Sequence, residues 1–232
     1  LAVDTAVEMR AAELGLAVNE GARVYVLPCI AGHVGADAAG VVLAEAPQKD
    51  EVNTLIVDVG TNAEIVVGTR HRMLAASSPT GPAFEGAQIS SGQRAAPGAI
   101  ERIRISPETL EPRYRVIGVE QWSDEEGFDE AVASTGITGI CGSGIIEVLA
   151  EMYLAEILTA DGVVDGAKAA SSPRIEADGR TFAYRISDNV VVTQNDVRAI
   201  QLAKAALHAG FRLLMDKMEL KKVDRVVPVS YT

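Results

Sequence analysis

The residues best suited to chemistry lie between two apolar runs, in the segment Asp58-Val59-Gly60-Thr61-Asn62-Ala63-Glu64. A carboxylate at the end of a strand, here Asp58, can hold a hydrated Mg²⁺ ion. Gly60 lets the backbone turn closely around an anion, and the hydroxyl and amide groups of Thr61 can donate to phosphate oxygens. The same residue types are typical of a tight β-hairpin with a polar tip. The spacing alone leaves both interpretations open, a phosphate site and a plain turn.

A second candidate anion site is the glycine-rich segment of residues 138–144, which opens a predicted helix. Gly142, Ser143 and Gly144 would expose backbone N–H groups at a helix N-terminus, where the helix dipole favours an anion. A flexible loop with Ser143 as a simple N-cap is the alternative. Cys141, taken alone, indicates a buried structural thiol.

A third segment, residues 77–86, combines hydroxyl groups, two prolines and one aromatic ring, which suits a surface that contacts a partner. Its candidate partner-facing residues are Ser77, Ser78, Gly81, Phe84 and Glu85. No histidine lies at a spacing that would activate either serine as a nucleophile. We therefore name no catalytic residue, and a purely structural connector is the alternative.

The composition excludes several classes of protein. Apolar residues make up 48% of the 232 residues and charged residues 23%, which is typical of a globular chain with a sizeable core. The net charge of −11 would repel nucleic acid and anionic membranes, so neither is an expected partner. No apolar run is long enough to span a membrane, and no secretory signal is recognisable.

The cysteines point to a reducing compartment. Cys29 and Cys141 form neither a disulfide framework nor a C-x-x-C pair, so we expect a cytoplasmic protein. Two cysteines supply neither a structural zinc site nor a four-cysteine iron–sulfur site.

Apolar periodicity predicts an α/β fold. The predicted helices cover residues 4–16, 31–46, 142–158 and a stretch from Thr193 onward. The predicted strands cover residues 24–27, 54–59, 64–68, 73–76, 103–105, 114–119 and 223–229, with a hairpin over 182–192. The helix at 142–158 is expected to carry Ile146, Leu149, Tyr153 and Ile157 on its apolar face. Thr193 and Asp196 should form a capping box at the start of the last helix.

Five segments occur in an order that resembles ATP-dependent reductive activators of corrinoid proteins. They are residues 30–37, 56–65, 81–86, 139–146 and 193–210. The most specific is Gly81-Pro82-Ala83-Phe84-Glu85-Gly86 beside an Asp-x-Gly-Thr-Asn turn, and the resemblance covers nearly the whole chain. It implies a ribonuclease-H-like lobe of the actin, sugar kinase and heat-shock protein 70 superfold, a mixed sheet with helices.

This resemblance implies a role in returning a corrinoid cofactor from Co(II) to Co(I), with ATP and Mg²⁺ as cofactors. The implied partners are the corrinoid protein of a methyltransferase system and an electron donor protein, with a plant-type [2Fe–2S] domain outside this chain. Asp58, Gly60, Thr61, Asn62 and Glu64 would form a phosphate loop, with Asp58 holding Mg²⁺ through ATP and residues 142–144 opening a helix close to it. Ser77 and Ser78 would face the corrinoid, where a hydroxyl could approach the cobalt as a weak axial ligand.

The resemblance also implies a division of the chain. Residues 1–50 would be the tail of a first lobe, and residues 51–232 a second lobe that ends before the adenosine-contacting turn. Since only one Asp-x-Gly-Thr segment occurs, we expect the chain alone to bind ATP weakly or not at all.

Other interpretations stay open. Cys141-Gly142-Ser143-Gly144 is similar to the cluster-ligating segment in activators of 2-hydroxyacyl-CoA dehydratases, which share a [4Fe–4S] cluster across a dimer. A phosphotransferase of the sugar kinase type lacks a convincing catalytic base here. A nucleotide-free docking module is the alternative from a different class. A homodimer is neither required nor excluded by the sequence.

Overall fold

The structure is a computed structural model that describes residues 5–229. Its contacts divide the chain into two compact units. Within the described residues, the first unit comprises residues 5–78 and 207–229, and the second comprises residues 79–206. These bounds differ from the sequence-based division at residue 50, and the assignment of residues 1–50 and 51–232 to lobes stays a prediction.

The first unit begins with a two-stranded antiparallel sheet of β1 (Val7–Arg10) and β2 (Arg23–Val26). The helix predicted over residues 4–16 is therefore wrong for its described part. Val7 and Met9 are half-buried and alternate with exposed Glu8 and Arg10, which is the period of two that a strand requires. A short 3₁₀ turn, Ala11–Leu14, follows the strand. The strand β2 was expected to be buried, but most of its side chains are exposed.

Helix α1 (Ala36–Glu45) is shorter than predicted. Residues 31–34 form a tight turn closed by hydrogen bonds between Ala31 and Val34, and Gly35 has extended backbone angles before the helix starts. Asp37 lies in the first turn of α1, where the helix dipole favours a carboxylate.

An antiparallel meander of three strands follows, close to the predicted positions. These are β3 (Thr54–Val59), β4 (Ala63–Gly68) and β5 (Met73–Ser78). Apolar residues fill β3 and β4 on both faces, and both strands are almost entirely buried. Their common end presents the predicted phosphate loop.

The second unit contains two three-stranded sheets, two complete helices and the first part of the long last helix. The first sheet joins β6 (Ala99–Ile105), β7 (Pro112–Val116) and, after helix α2 (Phe128–Val132), β8 (Gly139–Ile140), in the order β7-β6-β8. Helix α3 (Gly142–Leu154) packs on β6. The second sheet joins β9 (Ile175–Asp178), β10 (Thr181–Arg185) and β11 (Val191–Val192), and the predicted hairpin over residues 182–192 is confirmed.

The buried face of α3 differs in part from the predicted one. Ile145, Val148 and Met152 are buried in the core, the predicted Leu149 packs against it, and the predicted Ile157, beyond the helix end, is also buried. By contrast, Ile146 and Tyr153 are 51% and 57% exposed. Both sets repeat at the helical period, so the sequence pattern is compatible with either orientation. The strand β6 decides between them, because its backbone N–H groups bind carboxylates on one side of α3.

The long helix α4 (Gln194–Lys217) begins with the predicted capping box. Thr193 N–H donates to the Asp196 carboxylate at 2.8 Å, and Asp196 N–H donates to the Thr193 hydroxyl at 3.2 Å. The helix belongs to the second unit up to Ala206 and to the first unit from Leu207. There Leu214 and Met215 join the core formed by β3 and β4.

The last strand, β12 (Arg225–Val229), pairs parallel with β3. The main sheet of the first unit therefore has the order β12-β3-β4-β5 and is mixed, as predicted for the fold class. Among the described residues, no helix is both long and apolar enough to cross a membrane.

Candidate functional site

The candidate phosphate loop is the tip of the β3–β4 hairpin. Gly60 N–H donates to the Asn62 carbonyl at 3.0 Å and closes the turn, and the side chains of Thr61 and Asn62 are exposed. Asp58 and Glu64 lie directly opposite each other at the base of the turn. Directly opposed residues of an antiparallel pair share one face of the sheet, so two carboxylates flank the turn on the same side.

Ser77 continues this row onto the next strand. It lies opposite Glu64 in the β4–β5 pairing, and its hydroxyl donates to the Glu64 carboxylate at 3.1 Å. Asp58, Glu64 and Ser77 thus occupy adjacent positions on three strands, on one face. The sequence pattern assigns these residues to two different tasks, and the strand pairing places them side by side.

Ser78 lies elsewhere, because successive side chains of a strand point to opposite faces. It is buried, and the helix α4 passes close to it at Gly210. A Cβ atom on Gly210 would lie 2.6 Å from the Ile65 side chain and 3.2 Å from the Ser78 Cβ. Of the two serines, only Ser77 retains an accessible side chain.

Asp58 has a perturbed acidity that the sequence did not reveal. Its partial burial raises the pKa of the carboxyl group above its usual 3.8, and the negative charge of Asp37 raises it further. Asp37, in the first turn of α1, therefore lies close enough to Asp58 for their charges to interact. Asp37 lies in one of the segments that carry the family resemblance, but its sequence position indicates no role, since only the fold brings α1 to this hairpin.

The start of α3 has a structural explanation for its glycines. A Cβ atom on Gly142 would collide with the Phe84 carbonyl, and one on Gly144 would collide with the Ile100 carbonyl. Cys141, not Ser143, is the N-cap residue, and it provides no side-chain cap. Ser143 donates its hydroxyl to the Glu101 carbonyl at 3.3 Å, so its proposed N-cap role is wrong.

The segment after β5 is ordered rather than loose. Residues Pro82–Glu85 form a 3₁₀ turn between Gly81 and Gly86, both with positive φ angles, and Phe84 packs against the core of the second unit. Further along, Ser90 donates both its N–H and its hydroxyl to the buried Asp196 carboxylate, at 2.8 and 3.0 Å.

The structure thus places the predicted residues in two groups. In the first unit are Asp58, Gly60, Thr61, Asn62, Glu64, Ser77 and Ser78. In the second unit are Gly81, Phe84, Glu85, Gly142, Ser143 and Gly144. Within the second group, the Gly81–Gly86 turn contacts the start of α3 through Phe84 and Gly142.

Cys141 is a buried thiol, as predicted. Its side chain is 1% exposed, and its thiol donates to the Ile100 carbonyl at 3.4 Å. Among the residues that the structure describes, no three His, Cys, Asp or Glu side chains are grouped so that they could hold a metal ion. Mg²⁺ commonly takes only one or two carboxylates from a protein when phosphates supply further ligands, and the single Asp58 carboxylate is compatible with that mode of binding.

Comparison with known families decides the classification. A family model described as the C-terminal domain of RACo, the ASKHA domain, matches residues 52–228. The chain belongs to this family. A second model, the RACo middle region, matches residues 1–50. ASKHA membership confirms the predicted superfold and the resemblance to corrinoid activators.

Individual relatives agree with this classification. The chain is 32% identical over 232 residues to "Corrinoid activation enzyme RamQ" of Eubacterium limosum, covering 94% of this chain and 36% of the relative. It is 28% identical over 208 residues to "[Co(II) methylated amine-specific corrinoid protein] reductase" of Methanosarcina barkeri, covering 87% of this chain and 35% of that relative. The chain therefore spans about a third of the length of these relatives.

A solved structure shows the same fold. The "Reductive activator for corrinoid,iron-sulfur protein" superimposes with a TM-score of 0.77 at 30% sequence identity. The match covers 96% of this chain and 34% of that protein.

Proposed function

We propose that this chain is the ASKHA part of an enzyme that reductively activates a corrinoid protein, from Co(II) to Co(I), in a cycle driven by ATP. The observation that carries the proposal is the match to a reductive activator at 30% identity and a TM-score of 0.77 over 96% of the chain. Since the chain spans about a third of its relatives, the activity belongs to the whole protein that contains it.

The hairpin site supports a role in binding Mg²⁺ and ATP. Partial burial and the charge of Asp37 make the ionised Asp58 carboxylate unfavourable, and a divalent cation would relieve both effects. Asp58 would hold the hydrated cation, while Thr61 and Asn62 at the exposed tip would contact phosphate oxygens. When bound, Mg²⁺ neutralises phosphate charge. The Glu64 carboxylate would face this site. A change in the charge bound there would reach Ser77 through the hydrogen bond between Ser77 and Glu64.

The link between Glu64 and Ser77 supports a coupling between nucleotide and partner. A ligand that changes the charge around Glu64 also changes the strength of its hydrogen bond to Ser77. Ser77 would then present its hydroxyl to the corrinoid differently in each nucleotide state. Such differential contacts are what a nucleotide-driven cycle of docking and release requires.

The remaining parts of the proposal concern the whole protein. Electrons would come from a [2Fe–2S] domain outside this chain and a separate donor protein. Gly142, Ser143 and Gly144 remain predicted nucleotide contacts, although close backbone packing accounts for both glycines. Gly81, Phe84 and Glu85 remain predicted partner contacts, of which Glu85 is the exposed one. A homodimer and a cytoplasmic location remain expectations.

The dehydratase-activator alternative is less compatible with the structure. It requires Cys141 to ligate a cluster across a dimer, whereas Cys141 is buried and its thiol is hydrogen-bonded to the Ile100 carbonyl. The nucleotide-free docking module differs from the proposal in one measurable property, the dependence of partner binding on ATP.

Calorimetric titration of the complete gene product with a corrinoid protein, with and without Mg–ATP, tests the proposal. We expect the affinity to differ at least tenfold between the two conditions in the wild type, and the difference to vanish in D58N. Equal affinity in both conditions would favour the docking module. Absence of any binding to corrinoid proteins would contradict the proposal.

A further inference from the structure

A cluster of four arginines covers one face of the β6–β7 strand pair. Arg102 lies directly opposite Arg115, and Arg104 lies directly opposite Arg113. Side chains at these positions share one face, while Ile103 and its neighbours on the other face enter the core. We call Arg102, Arg104, Arg113 and Arg115 the arginine face.

The arrangement is electrostatically unfavourable in isolation. Like charges directly opposite each other destabilise a strand pair. On β6 the cost is reduced by α3, because the Glu147 carboxylate lies 2.7 Å from Arg104 and 3.4 Å from Arg102. Glu151 lies 3.9 Å from Arg104.

On β7 the compensation is weaker. Arg113 lies 3.8 Å from Asp124, and Arg115 lies 3.8 Å from Glu101, which is too long for a hydrogen bond in both pairs. The Nε of Arg115 is buried and has no hydrogen-bond partner among the described residues. A buried donor without an acceptor is unfavourable, so one N–H group of β7 is not satisfied within the described chain.

Trp122 holds one of these arginines in place. The guanidinium carbon of Arg113 lies 4.7 Å from the centre of the Trp122 ring, a cation–π contact. Stacking restricts the Arg113 side chain before any partner binds, which lowers the entropy lost on binding. Arginine and tryptophan are also the residue types that contribute most to binding energy at protein interfaces.

We propose that the arginine face is a docking surface for an acidic, extended segment of a partner protein. Adjacent strands lie about 4.8 Å apart, and alternate residues along a strand lie about 6.6 Å apart. Acidic residues at alternate positions of an extended segment repeat at the same spacing, so two of them can each meet one arginine of β7. A compact phosphate would contact fewer of the four guanidinium groups.

The charge of the whole chain makes this surface selective. With a net charge of −11, most of the protein repels an acidic partner. The four arginines are between 38% and 59% exposed, and those of β7 have only carboxylates at 3.8 Å beside them. An acidic segment would compete with Asp124 and Glu101 for Arg113 and Arg115, and its binding would weaken as salt screens the charges. This inference does not depend on the proposed function.

The test uses a fluorescein-labelled deca-glutamate peptide and the full chain at low ionic strength. The variant R113Q/R115Q removes both charges of β7. The control R72Q/R180Q removes two exposed arginines that form no ion pair within the described residues. We expect at least a tenfold loss of peptide affinity in the first variant and less than a twofold change in the control. Melting temperature provides the folding check.

Three results would overturn the proposal. One is equal peptide affinity in R113Q/R115Q and the wild type, and another is equal loss in both variants. The third is a loss of tripolyphosphate binding in R113Q/R115Q with peptide binding unchanged, which would assign the face to a phosphate ligand. If R113Q/R115Q fails to fold, the single variant R113Q replaces it, with an expected loss of at least threefold.

Discussion

The Ser77 hydroxyl donates a hydrogen bond of 3.1 Å to the Glu64 carboxylate across strands β4 and β5. Glu64 in turn lies opposite Asp58 at the base of the candidate phosphate loop. This row connects the residue proposed to face a corrinoid with the residues proposed to face a nucleotide, through one hydrogen bond and one strand pairing.

Ser77→Ala should weaken activation of the corrinoid protein at least fivefold while changing nucleotide affinity much less. The substitution removes the hydroxyl but no group of the hairpin tip. Activation rates and ATP titrations of the complete gene product measure the two quantities separately.

Ser78→Ala is the matched control, because Ser78 is the next residue along the strand and is buried on the other face. At equal folded fraction it should activate the partner at the wild-type rate. Unchanged activation in S77A, or equal losses in both variants, would remove Ser77 from the partner surface.

Asp58→Asn should stabilise the ligand-free protein at neutral pH while abolishing its response to Mg–ATP. The pKa of Asp58 is raised in the folded chain, so the folded state holds that proton more tightly than the unfolded state. The contribution of this group to stability therefore falls as the pH rises from 3.8 through the raised pKa, and D58N removes that loss.

Thermal unfolding of wild type and D58N between pH 3 and pH 7 measures this difference. Asp37→Asn should recover only part of it, since burial is the larger cause of the shift. A melting temperature for D58N that is lower than wild type at pH 7 would show that the ionised carboxylate stabilises the fold.

Gly144→Ala should destabilise the protein by about 1–3 kcal/mol or more, as overpacking of an interior does. The obstructing atom is the backbone carbonyl of Ile100, which a rotamer change cannot move aside. Gly142→Ala should behave similarly against Phe84. Denaturant unfolding measures both, with Gly32→Ala as the control, because nothing lies within 4 Å of a Cβ there.

The same variants decide between two roles for these glycines. If G142A and G144A keep wild-type stability but lose nucleotide binding, the glycines serve a ligand rather than the packing of α3. Loss of stability in both supports the packing role.

Glu147→Gln should destabilise the protein by about 1–3 kcal/mol at pH 7 and by less at pH 3. Glu147 accepts the Ile103 N–H at 2.8 Å and pairs with Arg104 at 2.7 Å. Burial opposes its ionisation, but these contacts outweigh burial and the pKa lies below the usual 4.5. Its stabilisation is therefore present above pH 4.5 and is lost as the pH falls through the lowered pKa.

Urea titrations of E147Q at the two pH values measure this dependence. Glu130→Gln is the control, because Glu130 is exposed and forms no ion pair among the described residues. A pH-independent loss in E147Q would mean that packing, rather than charge, is what Glu147 contributes.

The elements with one unambiguous pattern could be predicted from the sequence. β3 and β4 are continuous apolar runs on either side of turn residues, and α4 combines a capping box with a long apolar stripe. Elements whose apolar pattern is compatible with two structures or two orientations could not be predicted. Residues 7–10 satisfy a strand because β2 pairs with them, and α3 has apolar residues on two faces.

The residues of the candidate site could be predicted one by one from the sequence, but their positions relative to each other could not. The Asp58 turn and Ser77 stand out by residue type, yet their alignment in one row depends on the register of two strand pairs. The effect of Asp37 on the pKa of Asp58 depends on where α1 lies. The glycines before Ile145 indicate anion binding when only the sequence is considered. The carbonyls of Phe84 and Ile100 that explain them come from distant parts of the chain, so the sequence does not reveal this packing.

The cobalt oxidation state of a corrinoid protein, followed by absorbance, is the direct test of ATP-driven reductive activation. The complete gene product would be supplied with a low-potential electron donor, with and without Mg–ATP. We expect conversion of Co(II) to Co(I) that requires both the protein and ATP and that is lost in D58N. Conversion at the same rate without ATP, or in D58N, would contradict it.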